Sequence, residues 1–133
     1  MYKDLVTCAF TTYNASETIE IAINSAFNQN FKNIEIVVID DCSTDNTLDK
    51  LEKLKKQSPY PFFIFKNKKN MGIGFNRNIL IEKSNGEFIA FFDDDDFSYS
   101  SRISAQLNTI ISYENYSTLK NLKQSPLCYA NRY

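Results

Sequence analysis

Glu87-Phe88-Ile89-Ala90-Phe91-Phe92-Asp93-Asp94-Asp95-Asp96 is an apolar run that stops abruptly in four consecutive carboxylates. The Phe- and Ile-rich segment 87–92, bounded by polar residues, predicts a strand, with the acids where that strand leaves its sheet. Two carboxylates about 6 Å apart repel by roughly 1 to 3 kcal/mol for an effective dielectric between that of water and 20. A hard divalent cation offsets such repulsion, since Mg2+ or Mn2+ is commonly held by one or two carboxylates plus substrate phosphates. A solvated acidic loop is the plainer reading of an acid run taken alone. The remainder of the chain decides between them.

Upstream, apolar runs alternate with amphipathic segments. Leu5–Phe10 predicts a first strand, closed by Thr11-Thr12-Tyr13-Asn14. Asn14 with Glu17 forms an Asn variant of the capping box, and Ile19, Ala22, Ile23, Ala26 and Phe27 then recur at helical spacing to about Asn28. Ile34–Ile39, nearly all β-branched, predicts a second strand buried on both faces and ending in Asp40-Asp41. Cap residues in Cys42–Asn46 lead into a second helix, whose Leu48, Leu51 and Leu54 step between charges until Lys56. Ser58-Pro59-Tyr60-Pro61 breaks it, and Phe62–Phe65 predicts a third strand. After the polar loop Lys66–Gly74, Phe75, Ile79, Leu80 and Ile81 line one side of a helix ending near Ser84-Asn85-Gly86. Beyond the acids, Ser100 or Ser101 caps a helix carrying Ile103, Leu107, Ile110 and Ile111, and Pro126–Ala130 reads as a last strand.

Alternation of strand and helix with short connections predicts an α/β fold, a mostly parallel sheet with helices on both faces. In such sheets ligands bind outside the carboxyl ends of the strands, where the strand order switches. Thr11–Asn14, Asp40-Asp41 and Asp93–Asp96 all fall at such ends, the acid run at the exit of what reads as a central strand.

With 133 residues, 43% hydrophobic and 14% aromatic, the chain is expected to be a single folded domain, residues 1–133. No apolar run approaches the roughly 18 residues of a membrane span, and no signal peptide is visible, so a cytoplasmic location is expected. A net charge of −1 with mixed signs argues against nucleic acid as a partner. Cys8, Cys42 and Cys128 lack metal or disulfide spacing and are expected to be buried. The absence of histidine excludes His-based nucleophilic schemes and His-ligated zinc.

Asp40-Asp41 suits either a helix-leading acid pair or a carboxylate that accepts from a nucleobase edge or ribose hydroxyl. Tyr13 suits a loop aromatic or a stacking platform for a base. Gly72-Ile73-Gly74 lacks a third glycine at Arg77 and does not leave a strand directly, so it is no dinucleotide fingerprint. Arg77 itself is either a surface residue or a guanidinium that orients carboxylates or contacts phosphate.

The segments VTCAFTTYNASETIEIAINSAFNQNFKNIEIVVIDDCSTDNT and NMGIGFNRNILIEKSNGEFIAFFDDDDF, with the helix around Arg102, resemble the nucleotide-binding half of family 2 glycosyltransferases, which have the GT-A fold. The resemblance extends over about residues 4–130 and rests on several motifs in the right order. It implies an inverting enzyme that moves sugar from a nucleotide diphosphate donor, a UDP-sugar first, to an acceptor hydroxyl in bacterial surface polysaccharide or glycoconjugate synthesis. By the same resemblance Thr11 and Tyr13 contact the base, Asp41 reads it, and Arg77 lies near the nucleotide. Asp93-Asp94-Asp95 matches the DxD motif: Asp94 or Asp93 faces ribose and the metal shell, and Asp95 binds Mn2+ or Mg2+. The metal pair the resemblance implies is thus Asp93 and Asp95, and a frame shifted by one, Asp94-Asp95-Asp96, stays open. The family's general base comes from a later segment, so the resemblance implies a chain that stops before the acceptor-binding half and carries no base of its own. A non-catalytic nucleotide-sugar-binding module is the alternative. A phospho-receiver domain is disfavoured because no strand-end lysine follows the acids.

Overall fold

Every residue of Ile34–Asp40 is buried, as a β-branched run without polar alternation requires of a strand covered on both faces. Around it a computed structural model describes residues 2–119; the last strand read at 126–130, and Cys128 within it, lie outside them. The elements alternate without exception: β1 (Tyr2–Thr12), α1 (Ile19–Phe27), β2 (Ile34–Asp40), α2 (Thr47–Gln57), β3 (Phe62–Lys66), α3 (Ile73–Lys83), β4 (Gly86–Asp93) and α4 (Arg102–Leu119).

The strands form one parallel sheet in the order β3-β2-β1-β4. After β3 the chain crosses back and lays β4 on the far side of β1, so the strand order reverses between β1 and β4. The acid-bearing strand is therefore an edge strand among the described residues, not a central one. Paired on one side only, it leaves Phe91 36% exposed although Phe92 is buried.

Alternation along β1 divides the core. Val6, Cys8 and Phe10 face a cluster built with α1, α2 and α4, through Ile19, Ile23, Leu51, Leu54, Ile103 and Leu107. Ala9 faces the other side, with Val37, Ile39 and Leu80 of α3. Helices thus cover both faces, three against one. Phe10 and Phe92, paired across β1 and β4, stack with centroids 5.0 Å apart.

Three local expectations change. Asn14 does not cap α1: the cap position falls four residues later at Thr18, which makes no side-chain cap bond, and Asn14 adopts a left-handed φ of 50°. The α3 stripe does not bury as a unit, because Asn76 and Leu80, one turn apart, face the sheet, while Phe75 and Ile81 point away and are exposed. The first turn of α4 takes its cap from a distance. Gln29, fully buried at the end of α1, accepts from Ile103 N–H at 3.1 Å and donates to Tyr99 C=O at 2.8 Å.

Candidate functional site

Strand register decides which side chains meet. Thr11 lies opposite Asp93 and Phe10 opposite Phe92 across β1 and β4. Thr12 lies opposite Asp40 across β1 and β2. The carboxyl ends of three strands are thus level, and the reversal of strand order opens a crevice above them. A cleft of about 280 Å³ occupies it, lined among others by Thr11, Thr12, Tyr13, Asp41, Asn76 and Asp94. Four residues singled out from the sequence, Thr11, Tyr13, Asp41 and Asp94, therefore share one cavity.

The loops above the cleft are held by side chains of the loops themselves. Ser43 Oγ accepts from Asn14 N–H at 2.9 Å, and Asn14 Oδ1 accepts from Thr44 N–H at 2.8 Å. Thr47 Oγ1 accepts from Ala15 N–H at 2.9 Å and Asp45 Oδ2 from Ser16 N–H at 3.1 Å. The β1–α1 connection is in this way zipped to the β2–α2 connection. Both turn sharply through left-handed residues, Asn14 and Cys42 (φ 67°). Asn tolerates that conformation, whereas for Cys42 it stores roughly 1–3 kcal/mol held by the surrounding bonds.

Asp41 is 4% exposed and ties the cleft to the β3–α3 loop. Its Oδ1 accepts from Asn67 Nδ2 at 2.7 Å and Met71 N–H at 2.8 Å, and its Oδ2 from Gly72 N–H at 2.9 Å. Burial opposes its charge, but the Met71 N–H, the Asn67 and Asn76 side-chain amides and the Gly72 N–H outweigh that and hold the carboxyl below its ordinary range. Asp41 is therefore ionised at neutral pH without a cation beside it. The helix-leading explanation of the pair does not apply to it, since its donors belong to another loop. Asp40 instead turns back on its own loop and accepts from Ser43 N–H at 3.1 Å.

Asp94 is tuned the other way. Burial raises its pKa, with the Asp95 charge adding to the rise and the Thr12 hydroxyl and Tyr13 N–H opposing it. Tyr13 N–H reaches Asp94 Oδ2 at 3.3 Å. The Thr12 hydroxyl is buried and acts on Asp94 from a position that falls short of full hydrogen-bond geometry. Tyr13 itself is 49% exposed, with its ring available at the cleft mouth.

Arg77 sits on the other flank of the acid run and does not line the cleft. Its Nη2 lies 3.8 Å from Asp93 Oδ1, and its guanidinium covers Phe91. Arg102 supports the run from below: it donates to Phe91 C=O at 2.7 Å and Ser98 Oγ at 2.9 Å and lies 4.4 Å over Phe92. Asp95 is exposed. No three acids, cysteines or histidines converge as a metal cage among the described residues. The donor set still suits Mg2+ or Mn2+, which take hard oxygens and need only one or two carboxylates when phosphates complete the shell.

The sequence profile of glycosyl transferase family 2 matches residues 7–123. The chain belongs to glycosyl transferase family 2. Among curated family members, an Escherichia coli UDP-Glc:alpha-D-GlcNAc-diphosphoundecaprenol beta-1,3-glucosyltransferase is 35% identical over 119 residues, covering 85% of this chain and 46% of that protein. Among solved structures, residues 1–349 of Staphylococcus aureus TarS in complex with UDP-GlcNAc superpose with a TM-score of 0.75 at 30% identity, covering 82% of this chain and 32% of that one. The Pyrobaculum calidifontis mannosyltransferase PcManGT, in complex with GDP-Man and Mn2+, shares the fold with a TM-score of 0.73 at 22% identity, over 77% of this chain and 31% of that one. The chain thus spans less than half the length of each of these proteins. The fold is GT-A, as the resemblance implied, and among the described residues no helix is long and apolar enough to cross a membrane.

Sequence reasoning missed the polar residues that reach the site from α3 and the loop before it. Asn67 carried no motif, and Asn70 and Asn76, though they lie in the NMGIGFNRN stretch that carries the family resemblance, had no role of their own there. The available signal was Asn76 recurring with Leu80 at i, i+4, a polar residue on a helix face that also buries leucine.

Proposed function

We propose that residues 1–133 are a single nucleotide-sugar-binding domain of an inverting glycosyltransferase. The enzyme takes a nucleoside diphosphate sugar, a UDP-sugar first, and glycosylates an acceptor hydroxyl in the synthesis of bacterial surface polysaccharide or glycoconjugate. The observation that carries this reading is one cleft at the switch in strand order, lined by Thr11, Tyr13, Asp41 and Asp94 from three strand ends.

Asp41, ionised and buried, accepts from a base N–H, Tyr13 stacks on the base face, and Thr11 contacts its edge. Asp94 receives a ribose hydroxyl, and Arg77 stands toward the diphosphate. Asp93 and Asp95 would hold Mn2+ or Mg2+, which when bound offsets negative charge on the leaving diphosphate. The relatives support the reading: one acts from UDP-Glc on a diphosphoundecaprenol-linked sugar, and another holds UDP-GlcNAc. A lipid-linked glycan met on the cytoplasmic side of a membrane is accordingly the acceptor proposed.

Calorimetric titration of UDP, GDP and dTDP, with and without Mn2+, tests it. Saturable binding that metal tightens is expected, with UDP preferred. Failure of all three nucleotides under every metal condition overturns it. Binding without donor hydrolysis or transfer, by this chain and by any longer native chain, would instead mark a non-catalytic module.

A further inference from the structure

Asn76 is 1% exposed, in a helix whose only other buried residue is Leu80. Asparagine is a poor helix former, and an unpaired buried amide costs about 1–3 kcal/mol by mutational measures. Its position is explained by its partners. Asn76 Oδ1 accepts from Asn67 Nδ2 at 2.6 Å, and the same Nδ2 donates to Asp41 Oδ1 at 2.7 Å. Asn67 is itself fixed, its N–H donating to Asp40 C=O at 2.9 Å at the end of the β2–β3 ladder. One oxygen of Asp41 is thereby aligned by a relay of two side-chain amides anchored in α3. Met71 and Gly72 N–H complete the set from the loop between.

We propose that Asn67 and Asn76 are positioning residues that lock the Asp41 carboxylate in the one orientation from which it selects a base bearing a ring N–H donor. The inference rests on the nucleotide reading above and deepens it. Uracil offers such a donor at N3, whereas cytosine offers a lone pair there, so a fixed carboxylate attracts the first and repels the second. A carboxylate free to rotate discriminates less, because it can turn its charge away from cytosine. The relay therefore acts on selectivity as well as on affinity, and it acts only through Asp41.

The test is calorimetric titration of UDP and CDP into the wild-type chain and into Asn76→Ala, Asn76→Ser, Asn67→Ala, Asp41→Ala and Asp41→Ala/Asn76→Ala, each first checked for a cooperative melt. Asn76→Ala is expected to weaken UDP by about tenfold while CDP changes little, narrowing the UDP-to-CDP ratio. Asn76→Ser, whose short hydroxyl still accepts from Asn67, recovers part of that loss. On the Asp41→Ala background, Asn76→Ala is expected to add almost nothing, the signature of two residues acting as one unit. An unchanged ratio in Asn76→Ala, or the same loss repeated without Asp41, overturns the proposal while leaving the nucleotide reading intact. Failure of the wild-type chain to bind any nucleoside diphosphate overturns both. Without any ligand, amide exchange at Met71 and Gly72 is expected to speed up by about tenfold in Asn76→Ala as their shared acceptor loosens; unchanged protection counts against the relay.

Discussion

Arg77 Nη2 stands 3.8 Å from Asp93 Oδ1, and together they bridge α3 to the end of β4. Both side chains are nearly half exposed, so the pair adds only about 0–1 kcal/mol to stability. Its weight lies in offsetting charge beside the acid run. Arg77→Ala is expected to shift the urea midpoint little but to weaken nucleoside diphosphate binding in Mn2+ by about tenfold. Calorimetry and urea melts on the same samples check the split.

Gly86 admits no side chain. A Cβ there would lie 2.7 Å from Thr7 N and 2.8 Å from Leu5 O, both backbone atoms of the neighbouring strand. Gly86→Ala is expected to lose roughly 1–3 kcal/mol by pushing β4 from β1. It also disturbs buried Glu35, which accepts from Thr7 Oγ1 at 2.6 Å and Asn85 N–H at 2.7 Å. Denaturant unfolding measures the loss.

Gln29→Leu tests the distant cap of α4. It strands Ile103 N–H, whose acceptor is the Gln29 amide, while Tyr99 C=O loses the Gln29 donor but keeps Arg102 N–H at 3.0 Å. Leaving one buried donor unmet costs about 1–3 kcal/mol, so a loss of that size is expected. Amide exchange at Ile103 should rise with it.

Acid sensitivity centres on Asp45. The Thr47 hydroxyl, with the Thr47 and Ser16 amides, outweighs burial and pulls its carboxyl from 3.8 to about 2. A depressed folded pKa contributes stability that is fully present above the unfolded value and lost as pH falls through the folded one. The loss from Asp45 therefore falls between pH 3.8 and about 2. Asp41, also lowered, acts in the same sense, whereas Asp94, raised, favours the folded state when protonated and gives up that contribution as pH climbs. Asp45→Asn should flatten the acid limb of the urea midpoint against pH.

Cys8 is fully buried, and burial pushes its thiol up to about 12, with the Arg102 charge opposing and Glu35 adding. The thiolate is the reactive form. Iodoacetamide at mildly alkaline pH is expected to label Cys42, which is partly exposed, and to spare Cys8 until the chain unfolds. Peptide mass spectrometry distinguishes them.

What the sequence determined by itself is local. Side-chain period is a property of neighbouring residues, so Ile34–Ile39 and Phe62–Phe65 could be read as strands, and Leu51 and Leu54 as a buried helix stripe. Acids at strand ends could be read as well, because an α/β alternation places every strand's carboxyl end on one side; the convergence of Thr11, Tyr13, Asp41 and Asp94 follows from that. Strand order is a different kind of fact. The edge position of β4, the side-chain zipper from Asn14 to Asp45, the capping of Ile103 by Gln29 and the Asn67–Asn76 relay join residues far apart in sequence. Hydrogen bonds of that kind leave no period and no motif, since each is satisfied by whichever donor the packed backbone brings within about 3 Å. Only the tertiary structure decided them, and through them how firmly Asp41 is held.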